Sequence, residues 1–336
     1  MGEENRVKKI MKKVVFFTDE NKIGEALENF NISSFEKKRY PFKLHMGEIK
    51  NKFFPRPETV KKILNELIKR KGEPFLYDTT VAYPGLRSFK RGYQKVAKLH
   101  GFTKLGVDVV IDTKGKDVYV EGRAYEVAEA LYKTDCIFAF SHFKGHISTG
   151  IGGAIKNLGM GGVTKQTKRK MHHASRPLYQ KDKCTFCGVC AEVCPFNAIK
   201  TTDKKWSISK SKCFGCGVCV ENCKHGGIIN EDKDLQYLLS CSTYASVKDK
   251  NVIYLNDVNR ISKSCDCDPN PGPIICPDIG YLVSDDPVAI DKASLDLVHD
   301  IKPDIFEKEN KVDPEKQIRY GEEIGLGSTS YQLVEI

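Results

Sequence analysis

No run of about 18 apolar residues occurs in the 336-residue chain, which excludes a membrane-spanning helix. The opening MGEENRVKKIMKKVVFF has charges but no long apolar core after them, so it does not read as a secretory signal. Met11 directly precedes the first strand pattern and is a candidate start, residues 1–10 then being an upstream extension. A G-x4-G-K-[ST] loop is missing, as is a GxGxxG beside a strand, which argues against nucleotide binding of those two kinds. Low-complexity segments are also lacking. A cytoplasmic, folded protein is the expectation.

The formal net charge is +10, which raises a nucleic acid or an anionic surface as a partner. A solvated Lys/Glu surface explains the same number without a partner, and nothing else in the chain supports nucleic acid. Thirteen cysteines would suggest disulfides in a small secreted chain, but this chain is neither. Eight of them lie between residues 184 and 223 at short, regular spacings, and metal ligation in a reducing compartment explains that better.

Outside that region the pattern alternates. Strands are predicted at 12–19, 74–78, 107–113, 117–122 and 136–141, with helices at 57–70, 88–102 and 125–135. Further on, LQYLLSCSTYASV and DPVAIDKASLDLVHDI read as helices, NVIYLNDV and IGYLVS as strands. Strands separated by helices imply β-α-β units, so the expected fold class is α/β, a largely parallel sheet flanked by helices. The character changes between about 180 and 230. Residues 1–179 and 233–336 are therefore expected to form one α/β domain interrupted by a small domain at 180–232. The chain exceeds the size at which a single core is usual.

Within that small domain, Cys184, Cys187, Cys190, Cys194 and Pro195 follow C-x2-C-x2-C-x3-C-P, and Cys213, Cys216, Cys219 and Cys223 repeat the spacing 29 residues later. This resembles the bacterial two-cluster ferredoxin and implies an α+β unit with two [4Fe-4S] clusters. In that family the fourth cysteine of each run serves the other cluster. The resemblance thus implies one set of Cys184, Cys187, Cys190 and Cys223, and another of Cys213, Cys216, Cys219 and Cys194. Lys224 stands where that family has proline, a change to the local turn rather than to the ligands. Two such clusters would each carry about −2 and lower the net charge to roughly +6, weakening the nucleic-acid reading further.

Other constellations carry polar chemistry. SHFKGHISTGIGGAIKNLGMGG (Ser141–Gly162) follows an apolar strand and leads into a helix pattern, so its backbone N–H groups can converge on an anion. Lys144, His146, Lys156 and Asn157 are its candidate ligand-facing groups, the lysines for an anionic group and His146 for a proton. The alternative is a glycine-rich turn packed under the small domain. Asp78 and Arg87 lie past a strand end, where open α/β sheets place ligand groups, although Asp78 also suits a helix cap. Lys168, Arg169, His172 and Arg176 form either a basic linker or a positive rim. Cys265, Cys267 and Cys276, with Asp266 and Asp268, are either free thiols in a proline-stiffened loop or an incomplete, open site for a third metal or cluster. Cys136 and Cys241 read as core residues. Ser284 or Asp285 is expected to cap the helix that begins near Pro287, while Asp286 and Asp291 are candidates for the cleft that holds the glycine-rich loop, capping being the alternative for Asp286.

YDTTVAYPGLRSF, the glycine-rich loop, KRKMHHASRP, SCDCDPNPGPIICPDIG and SDDPVAIDKASLDL occur in that order around the cysteine repeat. Together they resemble domain of unknown function 362, a family of iron–sulfur proteins whose resemblance implies this domain layout. A looser likeness, in the glycine loop and GGAxK, is to the lactate racemase superfamily. The expected function is a reductase passing single electrons from two clusters to an anionic small molecule in the α/β cleft, fed by a redox donor protein or small reductant. A non-enzymatic electron carrier or metallocofactor-assembly protein is the alternative.

Overall fold

Short apolar strands linked by amphipathic helices bury both strand faces only if helices cover a parallel sheet above and below. The computed structural model, which describes residues 11–336, has this arrangement; the upstream extension expected at residues 1–10 lies outside the described residues. The main sheet contains β1 (Lys12–Phe17), β2 (Arg39–Lys43), β3 (Glu73–Thr79), β4 (Val109–Asp112), β5 (Cys136–His142), β6 (Asn251–Val258), β7 (Gly280–Ser284) and β8 (Tyr331–Glu335). Its order is β8-β1-β7-β6-β5-β2-β3-β4. Neighbours are parallel except for the two pairs made by β7.

Each face has its own core. Helices α1 (Pro57–Lys69) and α2 (Lys90–Leu99) press Val60, Ile63, Leu64, Tyr93 and Val96 onto Phe42, Leu76, Phe138 and Phe140. On the other face, α3 (Ala154–Gly161), α4 (Lys165–Ala174), α5 (Leu235–Val247) and α6 (Pro287–Ile301) bring Leu158, Met171, Leu239 and Val288 against Tyr77, Ile137, Ala139 and Tyr254. Alternate residues of β5 therefore serve opposite cores, as the pleat requires. Cys136 and Cys241 are fully buried, as expected of core residues.

β2 and β5 are neighbours, yet the chain leaving β2 enters α1 on one face and the chain leaving β5 enters α3 on the other. Where adjacent connections part in this way, a crevice opens at the carboxyl ends of the strands.

Some local expectations change. Residues 125–135 were expected to be helical, but Arg123–Ala128 is a strand paired antiparallel with Gly115–Val120, and only Glu129–Tyr132 is helical. Tyr125 and Val127 alternate into the core, and that packing overrides helix propensity. β2 escapes sequence reading because Pro41 sits inside it, where proline normally argues against a strand.

Asp286, rather than Ser284 or Asp285, caps α6, accepting from the N–H groups of Val288 and Ala289 at 2.9 Å each, with Pro287 in the first turn. Asp291 does not reach the cleft. It accepts from the N–H groups of Ala154 (2.7 Å) and Ile155 (2.9 Å), and so closes the amino end of α3 from a different helix. Burial pushes its carboxyl up to about 6.

Within residues 177–230 a small core forms around Ile199, Cys219 and Ile228, while Cys216 and Val218 pack against Val312. Pro177–Tyr179 pairs antiparallel with Ile228–Asn230, which brings the two ends of the segment together, and Ile199–Thr202 forms a hairpin with Lys205–Ile208.

Gly153 leaves room for the Asp291 cap, since an added Cβ would lie 2.2 Å from its Oδ1. Gly153→Ala is expected to lower the unfolding free energy by about 1–3 kcal/mol, read as a lower urea midpoint with an unchanged slope.

Candidate functional site

At the carboxyl ends of β2, β3 and β5 lies a cavity of about 470 Å³. Its wall includes the cleft residues expected from sequence, Asp78, Arg87, Lys144, His146, Lys156, Asn157 and His172, together with Cys265 and Cys267. Lys43, His45 and Phe214, not anticipated, line it too, and Lys168 lies in the wall rather than on a rim. Arg169 is exposed and Arg176 half-buried, outside the cavity lining. Cys276 is buried in the apolar core away from the cavity.

Asp78 is the most heavily engaged group. Its Oδ1 accepts from Thr79 N–H at 2.8 Å and lies 3.2 Å from Lys43 Nζ, while Oδ2 accepts from Tyr93 O–H. Burial pushes its carboxyl upward, but Lys43, Arg87 and Lys168 outweigh that and hold it below the ordinary range. Gly161 gives Lys43 its place, because a Cβ there would sit 2.2 Å from Lys43 Cε.

Arg87, expected to clamp an anion, is already engaged. It donates to the hydroxyls of Tyr83 and Tyr93 at 3.0 Å each and lies 3.6 Å from both Glu48 and Asp78. Asn157 likewise braces the wall, accepting from Lys43 Nζ at 2.6 Å and donating to Phe140 O and Ser141 Oγ at 3.0 Å each. Lys144 donates to His142 O and lies 2.8 Å from Asp266 Oδ2, whose other oxygen is 3.0 Å from His142 Nδ1. Lys144 and His142 hold the Asp266 carboxyl far below its usual range despite its burial.

Two ammonium groups face the cavity with no carboxylate partner among the described residues. Lys156 Nζ has only Cys265 Sγ at 3.9 Å, and Lys168 donates to Thr79 Oγ1 (2.6 Å) and Thr80 O (2.7 Å). Burial, with the neighbouring cations, pulls each down to about 7. Lys43, Arg87, Lys144, Lys156 and Lys168 thus stand against Asp78, Asp266 and Asp268 in one wall, an excess of basic groups suited to an anion.

Burial, with the same cations, holds His45 and His146 well below the ordinary range and brings His172 down to about 4. His172 Nδ1–H donates to Gly215 O at 3.2 Å, and its ring lies 4.2 Å from that of Phe214. Burial thus disfavours the charged form of His146, the candidate proton-bearing group.

Two smaller hollows are lined by cysteines. Cys184, Cys187, Cys190 and Cys223 surround one, while Cys194, Cys213, Cys216 and Cys219 surround the other. Gly188 and Gly217, at φ of 83° and 78°, turn the two loops. Burial and the facing thiolates push Cys190 and Cys213 up, and Cys216 up to about 11. Four thiols on one point favour a cationic occupant, and these sets fit one chemically. Phe196 and Phe214 line both the second hollow and the large cavity.

Fold and site together define an α/β protein with a cation-rich cavity at the switch point of its sheet. The chain belongs to the family described as domain of unknown function (DUF362), whose model matches residues 42–296. No curated protein matches it. Among solved structures, the lactate racemase apoprotein of Thermoanaerobacterium thermosaccharolyticum is similar at 13% identity and a TM-score of 0.41, over 74% of this chain and 50% of that one. A Thermotoga maritima structural-genomics protein is similar at 12% and 0.41, over 88% and 59%. The chain spans half to three fifths of those structures, and TM-scores this low say nothing about its chemistry.

A lysine whose folded value is near 7, against an ordinary value of 10.5, binds fewer protons folded than unfolded between those limits. Stability therefore rises with pH from about 7 to 10.5. Urea midpoints measured across pH 7–9.5 are expected to rise less steeply in Lys168→Met than in the wild type.

Proposed function

We propose that the chain is a cytoplasmic iron–sulfur reductase in which residues 180–232 form an inserted ferredoxin-like domain serving an anionic small molecule in the α/β cavity. The two cysteine sets would hold two [4Fe-4S] clusters, which when bound take up and release electrons singly. Cys184, Cys187, Cys190 and Cys223 would hold the one farther from the cavity, and Cys194, Cys213, Cys216 and Cys219 the nearer. The supporting observation is the shared wall: Phe196 and Phe214 belong both to the second cysteine hollow and to the cavity. A pure electron carrier has no use for such a junction with a cation-rich pocket.

Lys156 and Lys168 bind the anionic group, since Lys144 and Arg87 are already matched by carboxylates. The same two lysines titrate near neutrality and supply protons to match the electrons. The reductant is a redox donor protein or small molecule.

Anaerobically purified protein is expected to contain about eight irons and eight sulfides per chain, and Cys219→Ser about half of each. Lys156→Met/Lys168→Met is expected to keep all eight irons while weakening binding of inorganic phosphate or citrate at least tenfold by calorimetry. Full iron with unchanged anion binding in that variant favours the electron-carrier or assembly alternative. An iron-free protein with cysteines intact overturns the redox reading.

A further inference from the structure

Cys265 and Cys267 are joined as a disulfide in the cavity wall, and the ligand atoms of these two residues and His146 all lie within 4.8 Å of one another. Sequence spacing grouped the two cysteines with Cys276, but the fold sends that residue into the apolar core and brings His146 across instead. We infer that His146, Cys265 and Cys267 form a metal site for a thiophilic divalent cation, closed while the disulfide is intact and opened by its reduction.

Two thiolates and one imidazole are the donor set of open, four-coordinate zinc sites, in which the fourth position is left for a ligand. Tetrahedral ligation at about 2.3 Å to sulfur requires the two sulfurs roughly 3.8 Å apart, so the S–S bond must first break. Reduction adds two electrons and two protons to give two thiols, and the metal then displaces both thiol protons. With a water-soluble phosphine as reductant, the phosphine takes oxygen from water to become its oxide, and the two hydrogens of that water go to the sulfurs. A one-electron donor acting twice gives the same dithiol.

The surroundings suit both states. Cys267 N–H donates to Cys265 Sγ at 3.3 Å, a contact that supports a thiolate there. Nδ1 of His146 accepts from Ser148 N–H at 3.1 Å and lies 2.9 Å from Thr149 Oγ1, which itself donates to Ile151 O at 2.7 Å. Metal binding at Nε2 requires the ring proton to move to Nδ1, where Thr149 Oγ1 can accept it once the Ser148 N–H contact is given up. Lys156 Nζ, 3.9 Å from Cys265 Sγ, stands where it can steer an anion onto the open fourth position. Metal and anion would then share one cavity, although metal binding itself does not depend on the proposed reductase activity.

The test is zinc binding to the full chain with its clusters in place, under anaerobic conditions, before and after phosphine treatment. Cluster integrity is followed by iron content. Phosphine treatment is expected to create one additional zinc site per chain, and zinc X-ray absorption to show two sulfurs and a nitrogen. Cys265→Ser, Cys267→Ser and His146→Ala are each expected to weaken it at least tenfold, whereas Cys276→Ser leaves it unchanged. Zinc uptake by the Cys265→Ser and Cys267→Ser variants equal to that of the reduced wild type overturns the inference, as does a shell of four sulfurs, which would place zinc in the cysteine repeat. Uptake independent of phosphine refutes the redox gate. A failure of anion reduction with intact zinc binding refutes only the reductase reading.

Discussion

A carboxylate buried at the end of a central strand needs cations, and Asp78 pairs with Lys43 from β2 and Arg87 from the turn after β3, while Lys168 from α4 acts on it at longer range and hydrogen-bonds the adjoining Thr79 and Thr80. Breaking one partner of such a buried group leaves an uncompensated charge, a loss of about 3–5 kcal/mol. The network therefore fixes how α4 sits over the sheet. That placement sets His172 against Phe214 and so positions the cysteine-rich segment beside the cavity. Close approach of backbone completes the joint, since a Cβ at Gly215 would lie 1.8 Å from His172 O.

Charge is unevenly matched around the cavity, and the inequality gives it a chemical character. Arg87 and Lys144 have carboxylates within 4.0 Å, while Lys156 and Lys168 rest on neutral or sulfur acceptors. An ammonium in that position either gives up its proton or waits for an anion. The disulfide in the same wall adds a sulfur pair within reach of His146.

The strands and helices were largely legible, because apolar alternation and helical periodicity act over a few residues. Leu235–Val247 appears over the span its pattern indicates. Where a neighbour decided, local signals misled: Tyr125 and Val127 were drawn into a hairpin, and Pro41 hid β2 and with it Lys43. Lys43 and His45 stand two apart at the end of an apolar run, the signal that could have exposed them. Phe196 and Phe214 had none, because an aromatic beside a metal-type cysteine is ordinary until its neighbours are known.

The sequence by itself determined the α/β class, the cysteine repeat and the residue types of the cavity, since each follows from composition and spacing along the chain. Tertiary structure decided which of those residues remain available. It engaged Arg87 and Lys144 with carboxylates, left Lys156 and Lys168 without any, buried Cys276 and set His146 beside Cys265 and Cys267. Lys144 and Asp266, like His146 and Cys265, are more than a hundred positions apart, and no local pattern encodes such a pairing.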